Sequence, residues 1–117
     1  MHSVVYIFLG GGFGSVFRYA LSLLFVNYNF PLATLLANIF SCIILAIVVF
    51  CVSKFQLQDN LRLFLIIGFC GGLSTFSTFS YETIQLLKLG HLYYAVGNII
   101  FNIILCFSVL YFFIKKL

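Results

Sequence analysis

The polar residues best suited to chemistry lie inside long apolar runs of this sequence. Asn38 sits in the middle of one such run, with Thr34 four residues before it and Ser41 three residues after it. At these spacings all three side chains share one face of a helix. A buried amide left without partners costs several kcal/mol, on the order of 2–7. This face therefore predicts either an interhelical hydrogen bond or contact with a polar ligand.

A second polar segment, GFCGGLSTFSTFSYE, covers residues 68–82. Its glycines and its run of Ser and Thr hydroxyls weaken a helix, because hydroxyls compete for backbone groups. Irregular backbone at membrane depth is tolerated only inside protein or beside a water-filled cavity, where free carbonyls can coordinate a cation. Phe76 and Phe79 are three residues apart and share one helical face after the interruption. The segment predicts a broken helix near a functional site.

Other polar residues mark the first and last apolar runs. Arg18 stands in the first run, where a charge is costly and either faces a partner or cavity or extends to the interface. Tyr94, Asn98 and Asn102 follow at four-residue intervals in the last run. This polar stripe is expected to face the protein interior.

The elements that position these residues follow from composition. Hydrophobic residues make up 64% of the 117 residues and charged residues 7%, whereas a soluble domain carries about 25% charge. A membrane-spanning helix needs about 20 apolar residues. Barrel strands alternate over about 10 residues, and these runs are longer and continuous. The sequence predicts one all-α transmembrane domain over 1–117, in contact with the lipid bilayer. Its four helices are expected at about 3–26, 31–52, 61–87 and 92–114.

Charge predicts the orientation of these helices. Four helices place both termini and the middle loop on one side, which carries Lys54, Arg62, Lys115 and Lys116 against Asp59. Positive charge marks the cytoplasmic face, so both termini are expected inside. The net charge of +4 is explained by membrane anchoring, and no nucleic acid is expected as a partner.

Neither the cysteines nor the histidines suggest an enzyme. The four cysteines form no CxxC pair and are interpreted as small apolar packing residues. His2 and His91 lie at the terminus and in a loop, away from any triad or metal cluster. Gly10 and Gly14 in the first helix are one turn apart, a spacing that lets helix backbones approach closely. We expect no enzymatic activity and a packing role for these glycines.

Three phrases together resemble the bacterial Fluc (CrcB) fluoride channels, and the resemblance runs essentially from end to end. They are GGGFGSVFRY in helix 1, TLLANIFS in helix 2, and GFCGGLSTFSTFS followed by Glu82 in helix 3. The resemblance implies an antiparallel, dual-topology homodimer, or a heterodimer with a paralogous subunit, with helix 3 broken mid-membrane. It also implies passive fluoride efflux across the bacterial cytoplasmic (inner) membrane. A structural sodium ion would be held at the centre by backbone carbonyls near Gly71 and Ser74.

The resemblance also implies the residues of the fluoride pore. Asn38 would donate its amide to the permeating ion, and Phe76 and Phe79 would present their ring edges to it. Ser77 and Thr78 would add hydroxyl contacts.

Four further positions carry implied roles outside this central group. Arg18 would lie in the entry vestibule, and Thr34 would lie beside the path. Tyr94 occupies the tyrosine position of the family. Asn98 stands where the family usually has serine, and it still offers an N–H donor.

Two other functions are compatible with a small four-helix membrane protein. A small multidrug-resistance transporter also has four helices, but it needs a membrane-embedded carboxylate in helix 1 for a cationic substrate. Helix 1 here carries Arg18, and the acid within the apolar runs is Glu82 in helix 3. A purely structural subunit would explain the glycines, but not the polar and aromatic phrase of helix 3.

Overall fold

A computed structural model describes residues 2–115, whose regular secondary structure is all helical, without strands in that range. Met1, Lys116 and Leu117 lie outside the described residues, and so does the predicted contribution of Lys116 to orientation. The helices are α1 His2–Leu24, α2 Leu32–Lys54, α3 Asp59–Leu63, α4 Gly71–Leu73, α5 Phe76–Lys88 and α6 Leu92–Ile114, with a π-helical segment Phe64–Cys70 between α3 and α4.

Four helical stretches are long and apolar enough to cross a membrane: His2–Leu24, Leu32–Lys54, Asp59–Lys88 and Leu92–Ile114. The four predicted helices are thus present and apolar enough to span a membrane, with ends that differ from the prediction by two residues or fewer at each boundary. Large apolar side chains cover the outside of the molecule, for example Phe8, which is 78% exposed, and Tyr93, which is 91% exposed. Such a surface is stable against lipid and not against water.

Local sequence explains where α2 begins and where α5 ends. Pro31 directly precedes α2, where its missing N–H costs no helical hydrogen bond. After α5, Gly90 adopts a φ of 82°, a conformation that favours glycine. The N–H groups of Gly90 and His91 then donate to the carbonyls of Leu87 and Leu86, at 3.1 and 2.9 Å. These bonds close the C-terminal end of α5. Helix α6 then begins directly after His91.

Glycines on two helices let α1 cross the third span at backbone contact. Gly10 and Gly14 are buried, and a Cβ atom at either would overlap the carbonyl oxygen of Phe64 or Phe69, respectively. Gly68 and Gly72, also four residues apart, face Gly10 and Gly11 from the opposite side. The predicted packing role of Gly10 and Gly14 is therefore confirmed.

The third span is not one continuous α-helix. The π-helical segment Phe64–Cys70 lies against α1 and leads into the short α4. Ser74 and Thr75 then have extended backbones, with φ and ψ of −88° and 147°, and of −152° and 129°. Thr75 caps α5, because its hydroxyl accepts a bond from the Thr78 N–H at 3.4 Å. The polar segment that the sequence singled out thus has irregular backbone at its centre.

Candidate functional site

Asparagines on α2 and α6 form the centre of the site. The Nδ2 of Asn38 donates to the Oδ1 of Asn102 at 2.8 Å. The Nδ2 of Asn102 in turn donates to the side-chain and main-chain oxygens of Asn98, at 2.8 and 2.7 Å. Hydrogen bonds between amide groups therefore hold α2 and α6 together. Apolar packing alone would supply no directional contact between these two helices.

The same network continues from α6 into α5. Asn98 donates to the hydroxyl of Thr83 at 2.9 Å, and Thr83 donates to the carbonyl of Phe79 at 2.8 Å. Asn98 is fully buried, and Thr83 and Asn102 are 5% and 6% exposed. The predicted inward orientation of Asn98 and Asn102 is confirmed. Their polar atoms find partners inside the protein, as buried amides require.

The backbone irregularity fixes the orientation of the Asn38 amide. The N–H of Thr75 donates to the Oδ1 of Asn38 at 3.3 Å. The amide is therefore held at both ends, by Thr75 through its oxygen and by Asn102 through one N–H. An asparagine side chain has two N–H donors, so its second N–H keeps a defined direction.

Asn38 lies in a cleft of about 470 Å³ that contains both predicted phenylalanines. The rings of Phe76 and Phe79 lie 5.7 Å apart with an angle of 53° between their planes. Phe76 is 80% exposed, so the cleft is open along this wall of the single chain. The cleft is lined by Asn38, Cys42, Ser74, Thr75, Phe76, Phe79, Asn102, Ile103, Cys106 and Phe107.

A second cavity, of about 320 Å³, contains the ionisable residues. Arg18, Thr34, Thr78 and Glu82 line it together with residues of α1 and α2. The Nε of Arg18 donates to the Gly72 carbonyl at 3.1 Å, so the guanidinium is turned into the protein. The Oε1 of Glu82 is buried and has no hydrogen-bond partner among the described residues.

Most of the predicted site residues line one of these two cavities, and four line neither: Gly71, Ser77, Tyr94 and Asn98. Ser77 lines neither cavity, and its hydroxyl pairs with that of Thr75 at 3.0 Å. Tyr94 is 44% exposed, with its ring against Phe30 at 6.1 Å. In the single chain Tyr94 is therefore only partly covered, and its ring packs against Phe30 in the loop before α2.

The carbonyl oxygens of Cys70 and Gly71, just before the irregular segment, differ in their hydrogen-bond partners. The Cys70 carbonyl accepts bonds from the hydroxyls of Ser41 and Ser74, at 3.0 and 2.8 Å. In an uninterrupted helix the Gly71 carbonyl would accept from the Thr75 N–H. That N–H donates to Asn38, and Gly71 is exposed. Across residues 2–115, no three His, Cys, Asp or Glu side chains converge as metal ligands.

Several residues of the network and of the second cavity were not predicted as site residues. Asn102 belonged to the polar stripe of α6, so its burial was expected but its bond to Asn38 was not. Thr83 carried no signal, because an isolated threonine in a helix commonly bonds its own backbone. Glu82 stood out as an intramembrane acid, and the structure adds that it shares a cavity with Arg18.

The fold and the site define a multi-pass helical membrane protein with a hydrogen-bonded polar interior. Residues 5–114 match the family CrcB-like protein, Camphor Resistance (CrcB), and the chain belongs to that family. This confirms the resemblance of the three sequence phrases to the Fluc (CrcB) channels.

Curated relatives of the chain are named as channels and not as enzymes. A protein of Phocaeicola vulgatus named fluoride-specific ion channel FluC is 43% identical over 112 residues, which cover 89% of this chain and 92% of that protein. Proteins of the same name from Methanocaldococcus jannaschii and Shewanella pealeana are 40% and 36% identical. They cover 89% and 95% of this chain, and 85% and 92% of the respective relatives.

Proposed function

We propose that this protein is a fluoride channel that lets fluoride leave the cell passively across the bacterial cytoplasmic membrane. The observation that carries this proposal is the Asn38 amide, fixed by Thr75 and Asn102 in a cleft that Phe76 and Phe79 line. The names of the relatives support the same ion. Such a protein has no catalytic step.

Fluoride is small and strongly hydrated, so a pore must replace its water with hydrogen-bond donors and positive dipoles. The free N–H of Asn38 is such a donor. Aromatic ring edges carry the positive part of the ring quadrupole, and Phe76 and Phe79 would offer theirs. These groups attract an anion more weakly than a lysine would. Conduction needs this balance, because an ion must leave the site as readily as it enters.

Pre-orientation of the amide lowers the cost of binding the ion. A free asparagine side chain would lose rotamer freedom on meeting fluoride. Here the bonds to Thr75 and Asn102 already hold the group, at 3.3 and 2.8 Å. Asn98 would act one step further away by holding Asn102, in place of a direct contact with the ion.

The cavity around Arg18 would be the vestibule through which the ion reaches this cleft. A guanidinium in a cavity with low-dielectric walls raises the local concentration of anions. Thr34 and Thr78 line the same cavity and supply hydroxyl donors. Ser77 and Tyr94, which are outside both cavities in the single chain, would contribute only from a second subunit.

An antiparallel homodimer would close the cleft, and pairing with a paralogous subunit would serve equally well. In the single chain Phe76 is 80% exposed, so the cleft lacks one wall against lipid. A partner copy across this wall would exclude lipid and complete a pore. Two-fold symmetric dimers are the commonest oligomers, and each dimer would contain two pores. The irregular segment at Ser74 and Thr75 would then lie mid-membrane, enclosed by protein.

A structural sodium ion would fit the backbone oxygens near Gly71 and Ser74. Hard cations prefer oxygen ligands such as carbonyls, and the Gly71 carbonyl has lost its helical partner to Asn38. One chain supplies few such oxygens, so a symmetric partner would have to double them. The ion would supply positive charge that holds the two irregular segments together.

Fluoride efflux from liposomes, followed with a fluoride electrode, tests the proposed function. Wild-type protein should release the internal fluoride rapidly. Asn38→Asp places a carboxylate where the anion passes and should stop the release, while the protein still elutes as a folded species. Asn60→Asp makes the same change in α3, where the side chain accepts a bond from the Ser3 hydroxyl, and should conduct normally. Normal efflux through Asn38→Asp would remove Asn38 from the pore.

A further inference from the structure

Two cysteines lie one helical turn beyond the Asn38–Asn102 bridge. Cys42 follows Asn38 by four residues on α2, and Cys106 follows Asn102 by four residues on α6. The two helices run in the same direction, because a single span separates them. Four residues correspond to about one turn, so the second pair is stacked directly on the first.

The structure brings the two thiols together inside the cleft. Cys42 and Cys106 both line the cleft of Asn38 and Phe79. The register set by the Asn38–Asn102 bond places their side chains next to each other one turn further along, and both residues are only partly buried. An ion that can enter the cleft can therefore reach both sulfur atoms.

The two remaining cysteines are arranged differently. The Cys70 thiol is buried and donates to the Ser41 carbonyl at 3.5 Å. Cys51 lies further along α2 and is not part of the cleft. The interpretation of the cysteines as packing residues holds for Cys70 but does not account for a thiol pair that faces a cavity.

We propose that Cys42 and Cys106 form a two-thiolate binding site for a soft cation of the Hg²⁺, Ag⁺ or Cu⁺ class, within the cleft that contains Asn38. Each thiol would lose its proton to water, and two metal–sulfur bonds would replace two S–H bonds. No oxidant or reductant is needed, since neither the sulfur atoms nor the cation change oxidation state.

The ligand set determines which cations fit. Thiolates select soft metals, and in the described chain no third His, Cys, Asp or Glu joins the pair. A structural zinc site needs four ligands in a tetrahedron, so Zn²⁺ would bind this pair weakly. Cations that accept two sulfur ligands in a line would be favoured.

A metal ion bound at Cys42 and Cys106 should also affect fluoride conduction. Only this expectation rests on the proposed function. A cation bridging Cys42 and Cys106 would tie α2 to α6 and place positive charge and bulk beside Asn38. A fluoride ion would then be held too firmly or excluded, so soft cations should inhibit fluoride efflux.

The test is a titration of purified full-length protein with Hg²⁺ in the presence of excess glutathione, followed by the ultraviolet absorption of the mercury–thiolate bond. Wild-type protein should hold one Hg²⁺ per chain against the competitor. A second ligand raises affinity by about 10²–10⁴-fold when both can engage. Cys42→Ser and Cys106→Ser should therefore each weaken retention by about 10²-fold or more.

Matched controls separate this site from the other thiols. Cys51→Ser should retain Hg²⁺ like the wild type, and Zn²⁺ should not compete. Cys42→Ala replaces Cys42→Ser if the hydroxyl impairs folding, which thermal unfolding in detergent would show. Undiminished retention in the folded Cys42 or Cys106 variants would overturn the proposal.

Flux measurements then distinguish the two proposals. If wild-type protein conducts fluoride, Hg²⁺ should block it, and Cys106→Ser should reduce the block. A wild-type protein that binds Hg²⁺ but never conducts would contradict the proposed function and leave the metal site standing. Conduction that continues unchanged with Hg²⁺ bound would overturn the inhibitory consequence.

Discussion

Replacing Asn102 with leucine tests the hydrogen-bond network at its central residue. Asn102 accepts the bond from Asn38 and donates to both oxygens of Asn98. Leucine has about the same size but neither donates nor accepts. Asn102→Leu therefore leaves the Nδ2 of Asn38 and the Oδ1 of Asn98 without this partner, at a position that is 6% exposed.

Two separate losses are expected from this substitution. Interhelical hydrogen bonds within membranes contribute about 0.6 kcal/mol on average and at most about 1.7. Losing the bonds of Asn102 should therefore lower the free energy of unfolding by roughly 1–3 kcal/mol. A hydrogen bond to a charged group contributes about 1.5–3 kcal/mol. If the Asn38 amide no longer holds its direction toward fluoride, efflux should fall roughly ten- to hundredfold.

Thermal unfolding in detergent measures the first loss, and fluoride efflux from liposomes measures the second. Ile104→Leu is a matched control on α6, because Ile104 is 55% exposed and away from the network. It should change neither quantity. A folded Asn102→Leu protein with wild-type efflux would refute the idea that Asn102 holds the Asn38 amide for the ion.

Two further predictions concern helix packing and ion entry. Gly14→Ala should destabilise the protein by about 1–3 kcal/mol, since its Cβ would overlap a carbonyl, whereas Gly12→Ala meets nothing within 4 Å and should be neutral or stabilising in thermal unfolding. Equal melting temperatures for the two variants would contradict the close crossing. Arg18→Gln should lower fluoride efflux most at low ionic strength. The reason is that the Debye length, over which charges act, shortens from about 30 Å at 0.01 M to about 3 Å at 1 M salt. The exposed Arg62→Gln is its control, and a deficit of Arg18→Gln that is independent of salt would argue against attraction of anions by Arg18.

Hydropathy alone was enough to predict the helical architecture. Runs of about 20 apolar residues have few alternatives in a chain so poor in charge, and all four spans are present. The spacing of Gly10 and Gly14 likewise predicted close packing, because a helix places residues four apart on one face. The partner glycines Gly68 and Gly72 were read as helix-weakening residues, since spacing within one helix does not show which helix lies opposite.

The candidate site was predictable in part for the same reason. Helical spacing placed Asn38 and the pair Phe76 and Phe79 on defined faces, and the structure brings all three to one cleft. That Asn38 bonds Asn102 depends on the pairing of α2 with α6, which is a property of tertiary packing. The diversion of the Thr75 N–H to Asn38 depends on backbone angles that no residue pattern specifies.

The selectivity of the wild-type protein tests the central claim most directly. With fluoride on one side of a planar bilayer and an equal concentration of chloride on the other, the reversal potential reports which anion crosses. Oriented N–H donors and ring edges should favour the small ion, so the reversal potential should lie far from zero, with the sign that fluoride permeation sets. A potential near zero, which indicates equal passage of fluoride and chloride, would contradict the account.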